Sequence, residues 1–199
     1  MTEQPLISIV DFARIVIDAL ESAGADYMLG GALAIAAWAE ARSTQDVDMV
    51  VSVPLENFKR LSEELEARDM LVPVEVILDT FLENRADIPV NAIHLHTGYK
   101  AELFLLRDGD ALRESAFARR KLADLGPPLG KVYVHAPEDL ILYKLHYYRV
   151  SHQTKHIRDI TSIILTLMDD LNYGYLDHWI QRLGLIAFWD EIQKQINCA

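Results

Sequence analysis

The amino-acid sequence predicts an α/β (α+β) protein, with a small mixed β-sheet flanked by helices and an all-helical C-terminal segment. Up to about residue 136, short apolar runs alternate with longer runs in which apolar residues recur at helical spacing. From Pro137 onward, every segment has helical spacing. A loop rich in glycine and proline, residues 126–130, separates the two regions. We therefore predict a first domain over residues 1–130 and a helical subdomain over residues 131–199, packed on it.

The elements follow from local signals in chain order. Ser8, with Asp11 three residues later, is a helix-start signal, and Gly24 is a stop signal. The run 74–85 predicts a helix, although its Val and Ile content keeps a strand as the alternative. The predicted helices cover residues 8–24, 32–41, 55–68, 74–85, 110–122, 138–149, 155–168, 175–183 and 186–196. The predicted strands cover residues 26–29, 46–53, 91–96, 100–106 and 131–135, and the third and fourth form a hairpin.

The composition is that of an acidic globular protein. Of the 199 residues, 51% are hydrophobic and 25% are charged, and the formal net charge is −11. This charge argues against a broad contact with nucleic acid, which needs many Lys and Arg contacts to phosphate. One basic strip could still bind an anion, with a solvated helix face as the alternative. The strip consists of Arg113, Arg119, Arg120 and Lys121.

We also expect a cytoplasmic protein that makes no membrane contact. Cys198 is the single cysteine and cannot form an internal disulfide, which is consistent with a reducing compartment. The N-terminal residues do not resemble a signal peptide. The longest near-apolar run, residues 28–39, is shorter than the roughly 20 residues that span a bilayer.

Asp46 and Asp48 are the first candidate functional residues. Alternate side chains of a strand share a face, so the two carboxylates point the same way, about 6.6 Å apart at the backbone. Such carboxylates suit Mg²⁺ or Mn²⁺, which also take oxygen ligands from substrate phosphates. Gly30 and Gly31, which lack Cβ atoms, would let backbone N–H groups approach a phosphate. Together these features indicate chemistry on a nucleoside triphosphate (NTP).

Glu102 is the third candidate acid. It stands alone among apolar neighbours on a predicted strand that we expect to be buried on both faces. A buried carboxylate is costly unless it is paired or bound to a metal ion. Glu102 is therefore predicted to join Asp46 and Asp48 at the metal.

These residues carry a resemblance to a known family. Gly30-Gly31 followed by the run 42–48 (Arg-Ser-Thr-Gln-Asp-Val-Asp) resembles the signature of the nucleotidyltransferase superfamily, which has the fold of DNA polymerase β. Small bacterial members, including the AbiEii-type toxin branch, are the most similar. The likeness extends through residues 98–104, 137–144 and 158–160, and thus over most of the chain. Relatives usually carry Asp where this chain has Glu102.

The resemblance implies a set of site residues. Asp46, Asp48 and Glu102 would be the catalytic metal ligands. Arg42 would approach the active site, with a salt bridge to Asp46 as the alternative, and Lys144 would reach a phosphate unless it is a surface lysine. Arg158 and Asp159 match a basic-Asp segment of the family, or form an ion pair on one helix face. The implied nucleotide-binding residues are Gly30, Gly31, Arg42, Thr44, Lys144, Arg158 and Asp159.

The histidine spacings provide a weaker alternative for a metal site. His94 and His96 share one face of a predicted strand, and His152 and His156 are four residues apart in a helical region. Either pair could bind zinc, but no cysteines support them. We expect no histidine metal site.

The predicted function is Mg²⁺-dependent (or Mn²⁺-dependent) transfer of a nucleoside monophosphate from an NTP to a hydroxyl acceptor. The acceptor could be the 3′ end of a tRNA, a protein side chain, or a small molecule such as an aminoglycoside. Two alternatives remain. One is a non-catalytic module of the same fold that binds a nucleotide or a partner. The other is the toxin of a toxin–antitoxin pair, with an antitoxin as its partner.

Overall fold

A computed structural model of the chain describes residues 7–83, 85 and 87–197. Cys198, for which the sequence predicts no internal disulfide, lies outside the described residues. The described helices are α1 (Ile9–Ser22), α2 (Gly31–Ile35), α3 (Phe58–Glu66), α4 (Val74–Leu82), α5 (Ala111–Ala118), α6 (Pro137–Ser151), α7 (Thr154–Leu167), α8 (Tyr173–Arg182) and α9 (Ile186–Asn197). Short 3₁₀ turns cover Leu55–Asn57 and Met168–Asp170. Among the described helices, none has the length and apolar composition needed to cross a membrane.

Six strands form one mixed sheet, as the sequence predicts for the fold class. They are β1 (Asp26–Leu29), β2 (Asp46–Ser52), β3 (Val90–Ile93), β4 (Lys100–Leu105), β5 (Lys121–Asp124) and β6 (Lys131–Val134). Their spatial order is β3-β4-β2-β1-β6-β5. The β2–β4 and β1–β6 pairs are parallel, and the other neighbours are antiparallel. The two strands that carry the predicted acids, β2 and β4, are therefore adjacent.

The two faces of the sheet have different roles. Val47, Met49 and Val51 of β2 are buried, as are Ala101 and Leu103 of β4, and helix α1 packs near this side against β1 and β2. On the opposite face, Asp46, Asp48, Lys100, Glu102 and Phe104 are only partly buried, whereas Val50 is buried. The expectation that β4 is buried on both faces is wrong, because the strand alternates instead. The half-buried face is the one that carries the candidate acids.

Two local predictions needed correction. The alanine-rich helix predicted over 32–41 ends at Ile35, and the indole of Trp38 donates to the carbonyl of His135 at 2.8 Å just beyond it. The helix predicted over 110–122 ends at Ala118, and Lys121 begins β5. β5 is a four-residue edge strand with Lys121 and Asp124 at its ends and no β-branched or aromatic residue, so its own sequence carries little strand signal.

Helices α6 to α9 follow the sheet, as predicted. The division into two domains at residue 130 stays a prediction. β6 belongs to the predicted helical subdomain, yet it pairs with β1 and β5 inside the sheet. The residues of the sheet thus extend past the predicted boundary to Val134.

Candidate active site

The register of β2 and β4 brings the predicted acids together. Asp48 lies directly opposite Glu102, and Asp46 lies opposite Lys100. Because the pairing is parallel and in register, all four side chains project from the same half-buried face. The side chains of Asp46 and Glu102 are 49% and 25% exposed, so water and ligands can reach both.

A glycine elbow lies against Asp48. The N–H of Gly30 donates to the backbone carbonyl of Asp48 at 2.7 Å, which extends the β1–β2 pairing to the elbow. Gly31 has a φ of +57°, and a Cβ atom there would lie 1.8 Å from Oδ2 of Asp48. Only glycine fits this position, since any side chain would collide with the Asp48 carboxylate.

The electrostatics of Asp48 reflect this crowding. Burial, followed by the charge of Glu102 and then that of Asp46, raises the pKa of the Asp48 carboxyl to about 6, although Lys144 opposes the shift. A hydrogen bond with Glu102 adds to it. The neighbouring charges therefore favour a proton or a cation at Asp48.

Lys100 supplies a positive charge at the same place. Its ammonium donates to Oε1 of Glu102 at 2.5 Å and lies 3.5 Å from Oδ1 of Asp46. The hydrogen bond to Glu102 raises the pKa of Lys100, so the ammonium stays charged. The acid cluster is thus partly neutralised from within.

The donor set fits a hard divalent cation in its chemistry. Mg²⁺ in proteins is held by one or two carboxylates together with water and substrate phosphates, and Asp48 with Glu102 offers such a pair. Within residues 7–83, 85 and 87–197, no group of three or more His, Cys, Asp or Glu side chains is arranged to hold a metal ion. Binding by all three acids therefore requires the side chains to rearrange around the ion.

Arg42, Lys144 and Asp159 form a linked ion cluster next to the acids. Arg42 donates to both carboxylate oxygens of Asp159, at 2.9 and 3.2 Å, and Nζ of Lys144 lies 3.0 Å from Oδ2. Asp159 is buried, and its bonds to Arg42 and Lys144 outweigh that burial and lower its pKa. Arg42 pairs with Asp159 and not with Asp46, so the predicted alternative partner is wrong. Lys144 is buried and is not a surface lysine.

A cleft of about 600 Å³ joins these groups. Its lining includes the following predicted residues: Gly30, Gly31, Arg42, Thr44, Asp46, Asp48, Glu102 and Lys144. Thr44 bonds through its hydroxyl to the backbone of Asp46, at 3.1 and 3.3 Å, and so fixes the start of β2. Asp159 lies behind Arg42 and Lys144. Arg158 is exposed and is not among the described residues that line the cleft.

Sequence reasoning did not place several residues in this cleft, although it considered Arg113 for an anion site and His156 for a zinc pair. Arg113, Tyr143, Tyr147 and His156 line the cleft, and so does His135. The side chain of Arg113 is buried, 3.5 Å from Asp110 and 5.4 Å from the ring centre of Phe104. These residues come from α5, α6, α7 and the loop after β6, so no local pattern groups them.

His135 is the most unusual of these residues. It is buried against the elbow, and its Nδ1 lies 3.3 Å from the carbonyl of Leu29, which can only accept a hydrogen bond. Its Nε2 finds no hydrogen-bond partner among the described residues. Burial lowers the pKa of His135 to about 4, so the ring is neutral at physiological pH.

The four histidines of the two candidate pairs contact other side chains. His94 contacts the hydroxyl of Thr97 at 2.9 Å, and His96 lies 3.4 Å from Asp69. His152 packs against Tyr148, whereas His156 stacks on Tyr147.

The basic strip is neither an open anion site nor a solvated helix face. Arg113 is in the cleft wall, and Arg120 lies over the rings of Phe117 and Tyr133. Arg119 lies 2.6 Å from Glu138 and 3.4 Å from Asp139. Only Lys121 is exposed as the solvated alternative predicts.

Comparison with known proteins finds solved structures of similar architecture. No protein-family model matches the sequence, and no curated protein matches it. Solved structures do match. The solution structure of the antibiotic-resistance factor ANT(2″)-Ia has a TM-score of 0.61 at 16% identity, covering 92% of this chain and 96% of that one. The chain has the nucleotidyltransferase fold.

Two further solved structures agree with this assignment. The crystal structure of ANT(2″)-Ia in complex with adenylyl-2″-tobramycin has a TM-score of 0.54 at 16% identity, covering 92% of this chain and 97% of that one. An antigenic nucleotidyltransferase-like protein from Paracoccidioides brasiliensis has a TM-score of 0.54 at 19% identity, covering 93% and 94%. The match to a nucleotidyltransferase fold thus spans nearly the whole chain, while its AbiEii-type branch stays a prediction.

Proposed function

We propose that the protein is a divalent-metal-dependent nucleotidyltransferase that moves a nucleoside monophosphate from an NTP to a hydroxyl acceptor. The observation that carries this proposal is the position of Asp48. Its carboxylate lies opposite Glu102 on the neighbouring strand and directly over Gly31. Carboxylates on one face of the sheet beside a glycine elbow suit this chemistry, and the similar fold of the ANT(2″)-Ia structures supports the proposal.

Nucleotidyl transfer requires a nucleophile, a leaving group and an acceptor for one proton. The oxygen of the acceptor hydroxyl attacks the α-phosphorus, the bond from that phosphorus to the bridging oxygen breaks, and pyrophosphate leaves. The hydroxyl proton passes to a carboxylate, and the facing Asp48–Glu102 pair is the candidate acceptor of that proton. Catalysis then depends mainly on positioning and on charge neutralisation.

Asp46, Asp48 and Glu102 would hold Mg²⁺ or Mn²⁺. When bound, the ion neutralises phosphate charge and lowers the pKa of the attacking hydroxyl. Arg42 and Lys144 line the same cleft and can face the triphosphate, while Asp159 holds both of them in place. Gly31 keeps the backbone open to close approach of the substrate.

A small acceptor is favoured over a long nucleic acid. The net charge of −11 disfavours an extended contact with a phosphate backbone. Asp87, which forms an exposed ion pair with Arg85 at 2.9 Å, also lines the cleft, and a cationic acceptor would compete with Arg85 for its carboxylate. Adenylyl-2″-tobramycin is present in one of the similar solved structures. An aminoglycoside is therefore the first acceptor to test, followed by a tRNA 3′ end and protein side chains.

The decisive experiment is incubation with each α-labelled NTP, Mg²⁺ and either an aminoglycoside panel or cell extract. We expect label in one acceptor class, lost in Asp48→Asn and Glu102→Gln. Glu63→Gln is the matched control, since Glu63 is exposed on α3 and is not among the described residues that line the cleft. If no NTP gives label although nucleotide still binds, the transferase proposal is wrong.

One observation favours a non-catalytic nucleotide-binding module as the second candidate. Lys100 already neutralises part of the acid cluster, as a retained but inactive site could do. Metal-dependent NTP binding without pyrophosphate release would support this candidate. The toxin hypothesis stays a prediction, and growth arrest on expression that disappears in Asp46→Ala would support it.

A further inference from the structure

Lys100 lies inside the acid cluster by virtue of the sheet register. It is the first residue of β4, it pairs with Asp46 across the ladder, and it precedes Glu102 by two residues on the same face. Its ammonium is 2.5 Å from Oε1 of Glu102 and 3.5 Å from Oδ1 of Asp46. One lysine thus contacts two of the three acids predicted to hold the metal.

The ammonium and a divalent ion cannot both use these oxygens. Mg²⁺ would lie about 2.0–2.1 Å from its ligand oxygens, closer to Oε1 of Glu102 than the 2.5 Å that Nζ of Lys100 now keeps. Two cations at one carboxylate would then lie only a few ångströms apart, where like charges repel strongly. The arrangement of the acids around Lys100 agrees with the absence, among the described residues, of a ready three-acid metal site.

The side chain of Lys100 can also move away from the acids by rotation. Its side chain is 32% exposed and lies at the beginning of β4. The ammonium of a lysine is carried on a flexible stem of four carbons. The ammonium can turn towards water without moving β4, whose backbone is fixed by β2 on one side and β3 on the other.

We propose that Lys100 is an internal competitor for the metal site. In the metal-free protein it holds Asp46 and Glu102 in place of a divalent cation, and it leaves when the cation enters. This inference rests on the proposed function, because it takes the acids to be metal ligands. By this inference, Lys100 is a residue that sets the affinity of the site for the metal. The positive charge of Lys100 also explains how three acids can lie on one face of the sheet without a metal ion.

The test measures Mn²⁺ binding to the full-length, metal-free protein by electron paramagnetic resonance of the free ion. Lys100→Met removes the charge and keeps the length of the side chain, whereas Lys100→Arg keeps the charge. Lys121→Met is the matched control, because it changes the net charge equally from an exposed position on β5, at the far edge of the sheet. Circular dichroism verifies folding, and Lys100→Gln replaces the methionine variant should that one not fold.

We expect Lys100→Met to bind Mn²⁺ at least tenfold more tightly than the wild type, with Lys100→Arg and Lys121→Met within about threefold of it. Equal or weaker binding by both neutral variants, with measurable binding by the wild type, would overturn the inference and leave the proposed function standing. Absence of Mn²⁺ binding in every variant, also with a non-hydrolysable ATP analogue present, would overturn the proposed function and this inference with it.

Discussion

Gly31 carries the tightest steric requirement of the candidate site. Its φ of +57° favours glycine, and a Cβ atom would lie 1.8 Å from the carboxylate of Asp48. We predict that Gly31→Ala lowers the free energy of unfolding by roughly 2–4 kcal/mol, from backbone strain together with the steric conflict. It should also abolish nucleotidyl transfer, because Asp48 must move. Denaturant unfolding and the labelled-NTP assay measure the two effects.

Gly130 provides a control for backbone strain alone. It has a similar φ of +64°, and no described atom lies within 4 Å of its would-be Cβ. Gly130→Ala should cost only about 1 kcal/mol and leave transfer intact. Equal losses of stability and activity in both variants would show that the contact with Asp48 has no special importance.

His135 makes stability depend on pH. Burial lowers its pKa in the folded protein to about 4, below the ordinary 6.5, so the unfolded chain binds the proton more tightly. Stability is therefore lost as the pH falls through 6.5 towards 4. His135→Asn can still donate to the carbonyl of Leu29 but does not titrate. We predict that its cost relative to the wild type shrinks by about 1–2 kcal/mol between pH 7 and pH 5.

The measurement is urea unfolding of both proteins at the two pH values. His178→Asn, at an exposed histidine of α8, controls for general effects of the substitution. A cost of His135→Asn that is the same at pH 5 and pH 7 would contradict the buried neutral ring.

At the scale of elements, a polar network joins α5, α6 and α8. Arg119, just after α5, pairs with Glu138 and Asp139 in the first turn of α6, and its guanidinium lies 3.7 Å from the ring centre of Tyr175 in α8. The hydroxyl of Tyr175 donates to Asp139 at 2.6 Å. Asp139 is fully buried, so its charge depends on these partners.

We predict that Arg119→Ala lowers the free energy of unfolding by roughly 2–4 kcal/mol, because it leaves two buried carboxylates without their cation. Lys59→Ala should change it by less than about 0.5 kcal/mol, since Lys59 and its partner Glu63 are largely exposed. Thermal and denaturant unfolding compare the variants. A loss for Arg119→Ala no greater than that for Lys59→Ala would show that the network does not hold the helices together.

The elements that the sequence predicts best have strong periodic patterns. The capping box at Ser8 and Asp11 forms as expected, and the period of β2 places Asp46 and Asp48 on one face. Glu102 could be placed with them because it is an isolated acid on a strand. The same two-residue period applies to Lys100, but an ammonium does not bind a metal ion, so a pattern of metal-binding residues does not include it.

The remaining features depend on contacts distant in sequence. Arg42 and Asp159 are 117 positions apart, and neither position carries a signal for the other. His135 is a lone histidine after a short strand, which from sequence alone resembles any core histidine. Arg113 belongs to a basic run of the sequence and is buried only because α5 packs there. Tertiary packing decides such positions, not local preference.

At the scale of the whole molecule, the sheet and the helical segment share the site. Asp46, Asp48 and Glu102 come from the sheet, whereas Lys144 and Asp159 come from α6 and α7. The Arg42–Asp159 pair connects the segment before β2 to α7, next to the cleft. The cleft is therefore complete only when residues on both sides of position 130 are present, which makes the predicted domain division testable.

We predict that a fragment of residues 1–130 does not fold independently, although its end matches the predicted boundary. It lacks β6, which lies between β1 and β5, so β5 loses its partner in the sheet. It also lacks Val132 and Val134, which are fully buried in the core. Circular dichroism and amide NMR dispersion should show no cooperative unfolding and no dispersed spectrum for the fragment, in contrast to the full chain. A folded fragment would establish residues 1–130 as an autonomous domain, and β6 would then be a strand added to a sheet that is already stable.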